Sequence, residues 1–308
     1  MIASFLMVGK QVLILFIVVG AGFVLGKSKL LGEKASVGMT NLVIYVVSPC
    51  MMVVAFQRPF DSENFHNFCT ALVFAVAIHL LNIAAVTLFL RDSDLKRQQA
   101  LRFGTVLSNC GFMAYPLQTA LLGTIGVFYG SAYVLVFTVT AWTYGLYLMS
   151  GGKGKFSVKP LLLNPGVISV AVASLLYVLR ISLPDILYTP VEYLSHLNTP
   201  LPMIILGYQL SQANFKIVLR CRTMWVSAAM RLLLLPAAAL GLCLLFRPAH
   251  DVAIATVAAA STPPAALLSM FAAKFGQDTA LSSGVVSLQT LFSVLTIPVI
   301  VGFAMTLF

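Results

Sequence analysis

The chain has 308 residues, 60% of them hydrophobic and only 9% charged, with a formal net charge of +10. A soluble domain is about half apolar and about a quarter charged, so this composition excludes a soluble globular protein and specifies an all-α polytopic membrane protein. The positive charge sits in alternate loops, where it marks topology; this argues against nucleic acid as a partner and for the lipid bilayer.

Ten apolar spans are predicted, at about 9–26, 36–56, 66–90, 101–122, 126–149, 164–181, 190–211, 223–246, 252–273 and 280–306. Each is near the ~20 residues that a helix needs to cross a bilayer. The first span lacks a basic start, its first lysine being Lys10, and reads as a retained span rather than a signal peptide. The second carries "YVVSPCM" (45–51). In the third, His79 and Asn82 lie one turn apart on one face. They read as helix–helix hydrogen-bonding groups, with proton coupling through His79 as the alternative.

The fourth span is interrupted at "SNCGFMAYP" (108–116), and the fifth ends at a glycine–lysine linker, 150–163. The seventh carries "HLNTPLPM" (196–203). Arg231 is eight residues into the eighth span, about 12 Å along the helix. It reads as an attractor of anions, as a ligand of backbone carbonyls, or as a cation snorkelling to the interface. The ninth span is broken at "ASTPPAAL" (260–267), and the tenth carries Gln289 and Thr290, read as pocket residues with helix–helix contact as the alternative.

Fourteen of the nineteen Lys and Arg residues fall in the loops after spans 1, 3, 5, 7 and 9, including Lys153, Lys155 and Lys159 of the linker. The positive-inside rule then places those loops in the cytoplasm and both termini outside. Residues 1–149 and 164–308 each hold five spans, an odd number, so homologous halves form an inverted repeat. With Gly123 aligned on Gly276, Asn109 falls against Thr262 and Cys110-Gly111 against Pro263-Pro264. The two breaks thus occupy matching places near mid-span.

Each proline removes an amide donor and clashes with a carbonyl one turn earlier. Backbone left unpaired survives within a membrane only against protein, water or a ligand. The half-helix that follows each break begins with free N–H groups and a partial positive charge, which suits an anion. The candidate substrate-binding residues are therefore Asn109, Cys110, Gly111, Ser261, Thr262, Pro263, Pro264 and Gln289, with Arg231 and His79 as candidates for anion attraction or coupling.

All nine acidic residues fall in loops or at span ends, which argues against a sodium/proton antiporter, whose ions need midplane carboxylates. The five cysteines have no C-x-x-C spacing, and no metal site or cofactor is expected. The sequence has no H-E-x-x-H, no G-x-S-G, no intramembrane aspartate pair and no G-x-x-x-x-G-K-[ST], which argues against an enzyme and an intrinsic ATP-driven pump. A receptor or channel on the same architecture is the further alternative to a carrier.

The segments "NLVIYVVSPCMMV" (41–53), "SNCGFMAYPLQTALLG" (108–123), "LNTPLPMIILGYQL" (197–210), "RLLLLPAAAL" (231–240), "TPPAALLSMFAAKFGQD" (262–278) and "TLFSVLTIP" (290–298) resemble the auxin efflux carrier family, in its bacterial branch of malate/malonate permease-like transporters. The resemblance implies two inverted five-helix repeats, as in bile acid symporters and sodium/proton antiporters, with broken helices 4 and 9 crossing beside the substrate. It implies a scaffold of spans 1, 2, 6 and 7 and a transport domain of spans 3–5 and 8–10. It also implies an elevator motion, a homodimer in the cell membrane, and small organic anions as substrates, carried with or without a coupled proton or sodium. Family members often have Asn in both crossing helices, whereas span 9 has Thr262 here.

Overall fold

The computed structural model describes residues 2–152 and 162–308. Most of the expected linker, with Lys153, Lys155 and Lys159, lies outside the described residues. The described residues form helices at all ten expected places. Six are long and apolar enough to cross a membrane: α1 (Ile2–Lys27), α2 (Glu33–Phe56), α3 (Ser62–Phe89), α6 (Thr124–Met149), α10 (Arg222–Phe246) and α13 (Thr279–Leu307). The remaining four places hold shorter or interrupted helices. These are α4 (Leu95–Val106) with α5 (Tyr115–Leu122), α7 (Pro165–Val178), α8 (Asp185–Ser195) with α9 (Pro200–Gln212), and α11 (His250–Ser261) with α12 (Leu267–Lys274).

Local chemistry fixes the ends. Asp61 caps α3 through the amides of Glu63 and Asn64, Asp94 caps α4, and Asn164 caps α7 ahead of Pro165. Gly123, at φ 68°, takes the left-handed turn between α5 and α6. The seventh helical place begins at Asp185 rather than at 190, because Pro190 is accommodated inside α8. A single 3-10 turn, His196–Asn198, then joins α8 to α9.

Three π-turns explain how proline is tolerated in apolar helices. Val43–Val47, Cys110–Ala114 and Met230–Leu234 lie just before Pro49, Pro116 and Pro236. The carbonyl four residues before each proline, on Tyr45, Phe112 and Leu232, falls inside the π-turn. Widening the helix there relieves the clash between ring and carbonyl.

Helix α1 packs along α9 and also against α13, while α2 packs on α7 and α8. Helices α3, α6, α11 and α13 form a second set, with α11 at its centre: ten consecutive residues of α11, Val252–Ser261, are buried. The α1–α9 contact is a close backbone approach. A Cβ on Gly207 would overlap the Val19 carbonyl oxygen, and one on Gly22 would overlap that of Ile204. At the cation-rich end, the Arg97 guanidinium hydrogen-bonded to Asp92 holds that carboxyl well below the usual carboxylate range. Arg102 closes the α3–α4 turn by donating to the carbonyls of Leu90 and Thr87.

The glycine contact predicts a contrast. Gly207→Val should destabilise the protein by about 1–3 kcal/mol or more through overpacking, whereas Gly241→Ala, with open space around it, should be neutral or stabilising by up to about 1 kcal/mol. Thermal denaturation of the two variants in detergent reads the difference.

Candidate functional site at the crossing of two broken helices

The two interruptions meet. Ser108 and Pro264 form an antiparallel bridge, the only isolated one among the described residues. The amide of Asn109 donates to the Pro263 carbonyl at 2.7 Å, and that of Ala265 donates to the Leu107 carbonyl at 2.9 Å. This exchange satisfies backbone groups that neither helix can satisfy alone. Its local two-fold relates Asn109 to Ala265. The sequence alignment of the halves had set Asn109 against Thr262 instead.

The proline pair leaves two carbonyls without their helical donors, those of Ala259 and Ala260. Both are recovered by side chains. The Thr262 hydroxyl donates to the Ala259 carbonyl at 2.9 Å. Arg231, fully buried, donates to the Ala260 carbonyl, and its other terminal nitrogen donates to the carbonyls of Thr105 at 3.1 Å and Val106 at 3.4 Å. One guanidinium therefore holds the last turns of both α4 and α11. The Ser261 hydroxyl turns back to the Val257 carbonyl.

A cavity of about 570 Å³ lies against the crossing. Its inner end is formed by Ser108, Asn109, Gly111, Phe112 and Tyr115 from one break and by Ala265, Ala266 and Leu267 from the other. Its walls are helical stripes: Thr40, Ile44, Tyr45, Ser48 and Met52 on α2, and Val134, Phe137, Thr138, Ala141 and Trp142 on α6. Asn164 and Lys274, near the cation-rich end, also line it. Among the described residues, Lys274 is the only Lys, Arg, Asp or Glu on the wall. Its ammonium lies 5.5 Å from the centre of the Trp142 ring and 5.7 Å from that of Phe275, a cation–π arrangement.

The candidates read from sequence divide into those at the cavity and those behind it. Asn109 and Gly111 line the cavity. Asn109 is only 5% exposed, and its amide nitrogen has no hydrogen-bond partner. Cys110, Ser261, Thr262, Pro263 and Pro264 are buried in the crossing itself and are not part of the wall. Gln289 is also off the wall: it donates to the Ser227 hydroxyl at 3.2 Å, which pairs with the Thr105 hydroxyl at 2.7 Å. That chain ties α13 and α10 to α4. His79 is buried behind the crossing, with Nδ1 2.8 Å from the Ala75 carbonyl and its ring 4.8 Å from that of Tyr133. Asn82, one turn on, is buried with both amide atoms unpartnered.

Lys274 and the aromatic wall escaped the sequence reading. A signal was available: Leu267, Met270, Phe271 and Lys274 follow the i, i+3, i+4, i+7 spacing of one helical face, and all four line the cavity. Of the methionines near the prolines of spans 2 and 7, Met52 is on the wall, whereas Met51 and Met203 pack elsewhere in the core.

The role of Thr262 as a donor to the backbone is open to test. Thr262→Val keeps the shape but leaves the Ala259 carbonyl unsatisfied, which should cost about 1–3 kcal/mol of stability. Thr262→Ser should stay near wild type. Unfolding curves of both variants in detergent distinguish this from a role confined to ligand contact, for which the two would be equally stable.

The sequence is similar to known membrane proteins. The chain is 27% identical over 300 residues to an uncharacterized transporter of Methanothermobacter thermautotrophicus, covering 94% of this chain and 96% of the relative. A family model described as "Membrane transport protein" matches residues 7–161 and 153–301. With nearly the whole length matched, the chain belongs to this auxin efflux carrier-like membrane transport family.

Proposed function

We propose that this protein carries small organic anions, carboxylates, across the cell membrane by alternating access, with substrate bound in the cavity at the crossing. The observation that carries the reading is the unpartnered amide nitrogen of Asn109 on the cavity wall, next to the starts of two half-helices. A buried amide without a partner is a costly arrangement in a membrane interior unless a ligand completes it. The half-helix N-termini add partial positive charge, about half an elementary charge each for a full helix. Among the described residues no carboxylate on the wall opposes an anion, and the mostly apolar wall suits the hydrocarbon part of an organic acid.

On this reading the ten helical places are ten spans in two inverted five-helix repeats. Exchange packing supports it: the first helix of one half packs on the second place of the other, and the reverse (α1 with α9, α2 with α7). Spans 1, 2, 6 and 7 act as the scaffold, and spans 3–5 and 8–10 move the crossing. The cation-rich loops face the cytoplasm, so the cavity, whose lining includes Lys274 and Asn164, opens inward. Export of a monoanion from a negative-inside cell gains about 2.3 kcal/mol per 100 mV, enough to drive transport without a coupled ion.

The test is carboxylate flux in proteoliposomes under an imposed membrane potential. Wild type should move anions in the direction set by the potential. Asn109→Ala should lower flux at sub-saturating substrate by about tenfold to a hundredfold, the loss of a hydrogen bond to a charged group. The double variant Pro263→Ala/Pro264→Ala should also lose transport. If both variants transport like wild type, the crossing is not the binding site.

A further inference from the structure

The three carbonyls held by Arg231 make a site of their own. Those of Thr105 and Val106 end α4, and that of Ala260 ends α11. Helix C-termini carry partial negative charge and unpaired acceptors, and here two of them converge on one buried point. That is the chemistry of a cation site built from backbone oxygens. Among the described residues, Arg231 is the only Lys, Arg, Asp or Glu that is buried. The side chains around it, Tyr133, Cys110 and His79, supply no carboxylate to balance its charge. The balance comes from the two helix ends.

We propose that these carbonyls form a cation site whose resident ion is the Arg231 guanidinium, so that the crossing is assembled and charge-balanced without a bound metal ion. Arg231 is then a positioning residue. It lies behind the cavity, off its wall, and acts on substrate only by fixing α4 and α11, the elements that aim Asn109 and the two half-helix starts. The planar guanidinium suits this task because it spreads several donors over separated oxygens at once, whereas an ammonium is a point charge.

The inference concerns the same crossing as the proposed function, but its test needs no substrate. Full-length Arg231→Ala, purified in detergent, should melt on the order of 5–10 °C below wild type. Guanidinium chloride at non-denaturing concentration should recover most of that loss, because free guanidinium fills the vacated carbonyl site; choline chloride at equal ionic strength should not. Wild type should melt at the same temperature in sodium chloride and in choline chloride. The proposal is overturned if Arg231→Ala melts like wild type, if guanidinium does no more than choline, or if sodium stabilises wild type. Should Arg231→Ala not fold, Arg231→Lys and Arg231→Met decide. Retained charge should give about tenfold more folded protein than the neutral side chain, and equal yields overturn the inference. A protein that passes these tests yet moves no carboxylate would refute the substrate reading and leave the cation site standing.

Discussion

Every feature of the crossing follows from one constraint: backbone groups in a membrane interior must find partners inside the protein. Two adjacent prolines in one span and an Asn-Cys-Gly break in another create unpaired donors and acceptors at the same depth. The solution is local. The breaks bond to each other through Asn109–Pro263 and Ala265–Leu107. Thr262 takes the carbonyl freed by Pro263, and Arg231 takes the one freed by Pro264. The residues that look most polar and most available in the sequence are thus largely engaged in repairing the backbone.

That repair sorts charge across the crossing. The negative ends of α4 and α11 face Arg231, away from the cavity. The starts of the following half-helices, with the Asn109 amide, face the cavity. Two antiparallel broken helices bring like ends together, so the arrangement would repel itself without a cation behind, and it leaves the Asn109 amide nitrogen without a partner in front. The covering side chain on the second break is Ala265, so side-chain polarity at the inner end of the cavity comes from the first break, through Ser108 and Asn109.

Much of this was legible in the sequence. The ten helical places follow from apolar run length, and the two breaks from proline and glycine at mid-span. Their meeting followed from their matching positions in the two halves. The register of the meeting was not legible. Aligning Gly123 on Gly276 shifted the second break by three residues, because the antiparallel bridge is centred on Ser108 and Pro264, a spacing set by hydrogen bonding rather than by helix length. Gln289 and Thr262 looked like pocket residues because side-chain chemistry does not reveal which neighbour it bonds; the Gln289 amide nitrogen donates to Ser227 and the Thr262 hydroxyl to the Ala259 carbonyl. Lys274 was hidden for the opposite reason. A lysine at a span end counts as a topology signal, and only the packing of Trp142 beneath it turns it toward the cavity.

The weakness of the cavity's charges matters for a carrier. A substrate anion paired with a buried arginine would gain a strong charge-assisted contact, and releasing it would leave an uncompensated charge in a low-dielectric interior. Among the described residues Arg231 is the one buried arginine and is already committed to carbonyls, so the proposed anion would meet partial charges, one amide and the Lys274 ammonium. Those contacts can hold an anion out of water and also let it go, because an emptied cavity exposes dipoles that water can solvate rather than a full charge. A binding site whose cation is kept behind the wall is therefore suited to turnover in a way that the same cation on the wall would not be.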